Sequence, residues 1–139
     1  MRSSFPTLNA TNLKTALVEG NKVISYAALN LRCDRFASGL LRGEIGRKAD
    51  LEEERIAFFM PASIDYVTTM HGIWRAGGIA VPLNVASAVT ELEHYLTSAS
   101  VSRMIANGDY RESLVDLCAA LNIELLSVDD IITDEAATL

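Results

Sequence analysis

Apolar positions along the chain switch repeatedly between runs and helical spacing. Ile56 to Phe59 form a short continuous apolar run ended by Pro61, as a parallel strand buried on both faces would show. Tyr66, Val67, Met70, Ile73 and Trp74 then fall on one helical stripe that should pack on a sheet, with Asp65, Thr68, Thr69 and Arg75 mostly elsewhere on the wheel. Gly77-Gly78 stops that helix and Ile79 to Leu83 resumes the sheet, so the stretch from Glu53 to Asn84 is one complete βαβ unit. Upstream, Thr15 to Val18 and Lys22 to Ser25 flank Glu19-Gly20-Asn21, a hairpin in which Gly20 or Asn21 takes positive φ. Ser25 can cap a helix from Tyr26 to Leu41 whose buried positions are Leu29, Cys33, Phe36 and Leu40, with Arg32, Asp34 and Arg35 on the wet side. Gly43 and Gly46 end that pattern, and the charged stretch through Glu54 reads as a surface connection.

Downstream the alternation continues. Thr90 and Glu93 match a capping box for a helix from Glu91 to Ala99 that buries Leu92, Tyr95, Leu96 and Ala99. Arg103 to Ala106 reads as a strand, Asn107-Gly108-Asp109 as a turn, and Leu114, Val115, Cys118 and Leu121 as a helix face before the strand Ile123 to Val128. Residues 129–139 read as an acidic connection. This order predicts an α/β fold, a mostly parallel sheet flanked by helices with an N-terminal β-hairpin, in a single unit over residues 1–139.

Composition narrows the function classes. With 139 residues, half of them hydrophobic, the chain can bury one core. A formal charge of -6, with 12 basic residues scattered among 18 carboxylates, gives no field to attract nucleic acid. No apolar stretch approaches the roughly 20 residues of a membrane span, and residues 1–14 lack the apolar core of a secretory signal, so the expected location is the cytoplasm. Cys33 and Cys118 lie far apart without metal-type spacing and read as reduced core thiols.

The candidates for chemistry all have a structural reading. No GxxxxGK[ST] loop exists to cradle phosphate, and Gly43 to Gly46 with Arg47 and Lys48 lies outside any strand-to-helix junction. Gly77-Gly78 follows a helix, opposite to where phosphate sites lie, and is a helix stop. His71 and His94 lack an evident ligand set. Glu52-Glu53-Glu54 is a solvated charge run before it is a metal site. No Gly-x-Ser-x-Gly elbow or Ser-x-x-Lys pair activates a nucleophile. Trp74 and Tyr66 are core residues before they are a ligand platform.

The order of these pieces carries a resemblance. Ser25-Tyr26-x-x-Leu29, Arg55-Ile56-Ala57, Pro61, Trp74-Arg75-Ala76-Gly77-Gly78 and Val81-Pro82-Leu83-Asn84 together resemble the N-terminal portion of the adenylate-forming (AMP-binding) enzymes, from about Ala16 to Ile132. Around Pro82-Leu83-Asn84 the chain looks more like fatty-acyl and malonyl-type CoA synthetases than like amino-acid-activating domains. The resemblance implies a full-length ligase that adenylates a carboxylic acid with ATP and Mg²⁺ and transfers the acyl group to coenzyme A. It implies no catalytic, cofactor-binding or metal residue here, because the family's phosphate loop ending in Pro-Lys, its ATP-contacting motifs and its C-terminal lysine have no counterpart in these residues. The chain is therefore expected to be inactive alone, to have the remainder of the parent enzyme as partner, and to self-associate through an uncovered apolar surface. Two alternatives stand beside it: a non-catalytic α/β binding module with a ligand at the carboxyl ends of its strands, and a truncated paralogue acting as an interaction or regulatory subunit.

Overall fold

The computed structural model describes residues 14–43, 46–47 and 50–132. A hairpin of β1 (Thr15–Glu19) and β2 (Lys22–Ser25) turns at Gly20, whose φ of 59° is the left-handed value the tight connection requires, and leads directly into α1 (Tyr26–Leu41). The Ser25 hydroxyl accepts the Ala28 N–H at 3.1 Å, as predicted for a cap. Instead of a plain connection, Arg42–Gly43 (β3) pairs antiparallel with Gly46–Arg47 (β4).

The main sheet has four parallel strands, β5 (Arg55–Phe59), β6 (Ile79–Leu83), β7 (Arg103–Ile105) and β8 (Glu124–Leu126), in the order β6-β5-β7-β8. Helices α2 (Ile64–Arg75), α3 (Val89–Ser98) and α4 (Gly108–Leu121) make the crossovers, and α5 (Val128–Ile132) follows β8. Successive residues of β5 alternate between two cores. Ile56 and Phe58 join Phe36, Leu40, Ile73, Val128 and Ile131 under α1, α2 and α5, while Ala57 and Phe59 join Leu92, Leu96, Leu114 and Cys118 under α3 and α4.

All three crossover helices end in the same way. Gly77, Ser100 and Asn122 take φ of 88°, 54° and 58°, and the next residue donates back five positions: Gly78 to Ile73 O at 2.9 Å, Val101 to Leu96 O at 3.2 Å, Ile123 to Cys118 O at 2.8 Å. This Schellman turn satisfies the last carbonyls and throws the chain straight into the next strand. It is the helix stop expected of Gly77-Gly78, repeated twice without glycine.

Four expectations need correction. Helix α3 starts two residues earlier than Thr90 implies: Ala88 is its N-cap residue, and the Glu91 carboxylate accepts the Ala88 N–H at 3.0 Å, so Thr90 and Glu93 do not form the box. Asn107-Gly108-Asp109 is the start of α4 and not a turn. Val128–Ile132 is helical, so residues 129–132 are not the connection expected there; residues 133–139 lie outside the described residues. On α2, Thr68 and Thr69 are fully buried, because the helix is sandwiched between the sheet and α1. Among the described residues no helix is long and apolar enough to cross a membrane.

Candidate functional site

In an open α/β sheet the natural ligand crevice lies at the carboxyl ends of two adjacent strands whose crossovers leave to opposite faces. Here those strands are β5 and β7, and the crevice is bounded by 60–63, by Asn107 and by the N-terminus of α2. The fold fills it with its own polar groups. The Ile64 N–H, which with the helix dipole would offer an anion site, donates to Glu19 Oε1 from the hairpin at 2.8 Å. Ser63 Oγ accepts the Tyr66 N–H at 3.0 Å and donates to Pro61 O at 3.0 Å. Arg32 Nη2 donates to Asp65 Oδ1 at 2.7 Å, Asn107 Nδ2 donates to Asp65 Oδ2 at 3.1 Å, and Asn107 Oδ1 accepts the Val128 N–H at 2.9 Å.

This network ties the hairpin, α1, α2, the end of β7 and α5 together, and its chemistry is that of a clamp. The recess of about 400 Å³ beside it is bounded by Glu19, Lys22, Val23, Arg32, Ile64 and Asp65. The two carboxylates already occupy the helix terminus and the guanidinium, and they would repel a polyphosphate entering there. The described residues therefore do not fit ATP or its Mg²⁺ complex, and no chemical step is derived through either.

A second concavity of about 640 Å³ runs between β6 and α3, lined by Val81, Pro82, Leu83, Asn84, Glu91 and Tyr95 among others. Two of its polar side chains are engaged locally: Asn84 Oδ1 accepts the Ala86 N–H at 2.8 Å and Glu91 caps α3. The wall is apolar at Val81, Pro82 and Leu83 and continues to exposed Val89 and Tyr95; Tyr95, expected on the buried face of its helix, lies outside it.

The residues singled out by sequence take structural positions. Glu54 turns inward, its carboxylate receiving Arg103 Nε at 2.8 Å and Nη2 at 3.0 Å and the Ser102 hydroxyl at 2.5 Å. Glu52 and Glu53 sit at φ of 55° and 65° in a turn against Gly77, with the Glu53 N–H on Gly77 O at 2.9 Å. Among the described residues no cluster of His, Cys, Asp and Glu could hold a metal. His71 meets Trp74 edge-on at 5.2 Å, and burial with the nearby Arg75 guanidinium lowers its pKa. His94 lies against Tyr95 on α3. Gly43 and Gly46 belong to the small hairpin; Lys48 lies outside the described residues. Tyr66 packs edge-on against Phe58 at 5.0 Å, as a core residue. Cys33 and Cys118 are buried free thiols, and burial pushes the Cys33 thiol up to about 11 against the opposing pull of Arg75. The clamp residues Glu19, Arg32, Asp65 and Asn107 were not among the sequence candidates. Nothing local marks them, because each partner lies 20 or more positions away.

The model of the AMP-binding enzyme family matches residues 7–138. The mitochondrial malonate–CoA ligase ACSF3 of Homo sapiens is 30% identical over 81% of this chain and 20% of its own length. A long-chain-fatty-acid–CoA ligase of Escherichia coli O157:H7 is 30% identical over 89% of this chain and 22% of its own. The crystal structure of ATP-bound MatB from Rhodopseudomonas palustris superposes with a TM-score of 0.70 at 24% identity, covering 92% of this chain and 25% of that one, and shows the shared fold. The chain thus spans about a fifth of the length of the curated relatives it matches.

Proposed function

The chain belongs to the AMP-binding enzyme family, and on that premise we propose that it is the N-terminal scaffold segment of an ATP-dependent acid–thiol ligase. The intact enzyme adenylates a carboxylic acid of the fatty or malonyl type and passes the acyl group to coenzyme A. Its ATP and Mg²⁺ are held by residues outside this segment, and the segment alone is inactive. The observation that carries this reading is the closed crevice: the one position where an open α/β sheet would take a nucleotide is filled by Glu19, Asp65 and Asn107. That closure also weighs against an independent binding module. Support for the substrate class comes from relatives named for malonate and for long-chain fatty acids.

Alone, the segment self-associates through the apolar wall between β6 and α3; a monomer at all concentrations in sedimentation would refute this. The proposed compartment is the cytoplasm, which cell fractionation tests. The test of function is pyrophosphate release by the polypeptide of the complete open reading frame, with ATP, Mg²⁺ and either malonate or a long-chain fatty acid. Acid-dependent release is expected. Calorimetric titration of this chain with ATP and Mg²⁺ should show no binding, and a saturable, Mg²⁺-dependent heat would overturn the scaffold reading. An open reading frame that stops after Leu139 would favour an interaction subunit.

A further inference from the structure

The side chain of Asn107 does not do what its position invites. Asparagine is among the best residues at a helix start because its carbonyl oxygen accepts an N–H of the first turn. Asn107 is the N-cap residue of α4, with φ of -118° and ψ of 155°, yet no side chain caps that helix. Its Oδ1 instead accepts the Val128 N–H at the start of α5 at 2.9 Å, and its Nδ2 donates to Asp65 Oδ2 at 3.1 Å. One acceptor therefore has two competing donors, the first turn of α4 and the start of α5. The residue after it makes the choice reversible. Gly108 takes φ of 54° at the first position of α4, and a Cβ there would meet nothing within 4 Å. Glycine adopts positive and negative φ about equally well, and an ordinary helix start takes the negative value.

Helix α5 carries its own cap. Ser127 Oγ accepts the Asp130 N–H at 3.0 Å and Asp130 Oδ2 accepts the Ser127 N–H at 2.9 Å, a reciprocal pair that stays with α5 when it moves. Four contacts hold the helix down: the Val128 bond to Asn107, Arg42 Nη2 on Ile131 O at 2.8 Å, the burial of Val128 and Ile131, and the bare Gly39, where a Cβ would collide with the Ile131 backbone. We propose that Asn107 and Gly108 form a latch for α5. In the latched state, which dominates, Asn107 bridges Asp65 and Val128. In the released minor state Gly108 turns to negative φ, Asn107 caps α4, α5 lifts off α1 and the sheet stays folded. Recovering the cap favours release by about fivefold against the lost Val128 bond. Because Asp65 also holds Arg32, the latch ties the carboxyl-end clamp to the docking of α5. The proposal stands whether or not the ligase reading does.

The test is residue-resolved amide exchange, in urea below the unfolding transition, on the polypeptide of the complete open reading frame. The Val128 amide should be protected at least about tenfold less than that of Ile73, which is fully buried in α2, and with a smaller dependence on urea, as a local opening shows. Gly108→Ala makes the left-handed φ costly and meets no clash, so it should lower Val128 protection by a further factor of about ten and leave Ile73 unchanged. Asn107→Ser keeps a cap for α4 but is too short to bridge Asp65 and Val128, and should act in the same direction. Equal protection and urea dependence at Val128 and Ile73 make α5 part of the core and overturn the proposal. So does a Gly108→Ala protein whose Val128 amide is as protected as the parent's, or one in which Val128 and Ile73 lose protection together.

Discussion

Replacing Gly72 by alanine should destabilise the fold even though alanine is the better helix former. Gly72 lies in the middle of α2, where α1 crosses it, and an ideal Cβ there would sit 3.0 Å from both Cβ and Cγ of Phe36 and closer still to the ring edge. Carbon atoms in contact prefer about 3.5–4.0 Å, and Phe36 is wholly buried, so the ring must be displaced or the helices must part. Gly→Ala in a helix interior contributes about 1 kcal/mol in favour of folding. Overpacking a well-filled core costs about 1–3 kcal/mol. The bulk should win, for a net loss of up to about 2 kcal/mol. With a urea m-value of about 1–3 kcal/mol/M, that moves the unfolding midpoint down by about 1 M. Urea titration followed by far-UV circular dichroism measures it. Phe36→Leu should partly rescue the alanine variant, giving a favourable coupling of about 1 kcal/mol in a double-mutant cycle. A Gly72→Ala protein more stable than the parent, with no coupling to position 36, would refute the close crossing of α1 and α2.

Arg103→Met should cost about 2–3 kcal/mol in the same assay, because it strands the largely buried Glu54 carboxylate, and Arg103→Met with Glu54→Gln should recover part of that loss. His71 has a folded pKa below its ordinary 6.5, so its contribution is present above that value and is lost as pH falls through the lowered folded one; His71→Gln should flatten the fall of stability as pH drops below 6.5, and an unchanged slope would exclude His71 as the cause. Cys33, pushed up to about 11, and Cys118, raised by burial, should resist iodoacetamide at about pH 8 until the chain is unfolded; rapid native labelling of either would contradict the burial described.

The carboxyl-end crevice shows what can and cannot be read locally. Ser63 and Asn107 stand at helix starts; the sequence pattern marks a break in the chain at Asn107 but misnames it as a turn. That Glu19 reaches the start of α2 across 45 positions, or that Asn107 bridges Asp65 and Val128, depends on how the hairpin and α5 dock. Within its own helix Arg32 falls on the wet side and Asp65 lies off the apolar stripe. They are partners because α1 and α2 cross there.

The sequence by itself determined the kind and order of the elements other than β3, β4 and α5, because strand and helix impose different apolar periods and because Gly77-Gly78 and Pro61 punctuate them. It also determined the absence of a phosphate loop, since that motif is contiguous. Only the tertiary structure decided that α2 is buried on two sides, hiding Thr68 and Thr69, which a one-faced amphipathic pattern cannot express. Only it decided the strand order. Periodicity records which side of its own element a residue occupies. Which element covers that side is set by packing between segments distant in the chain.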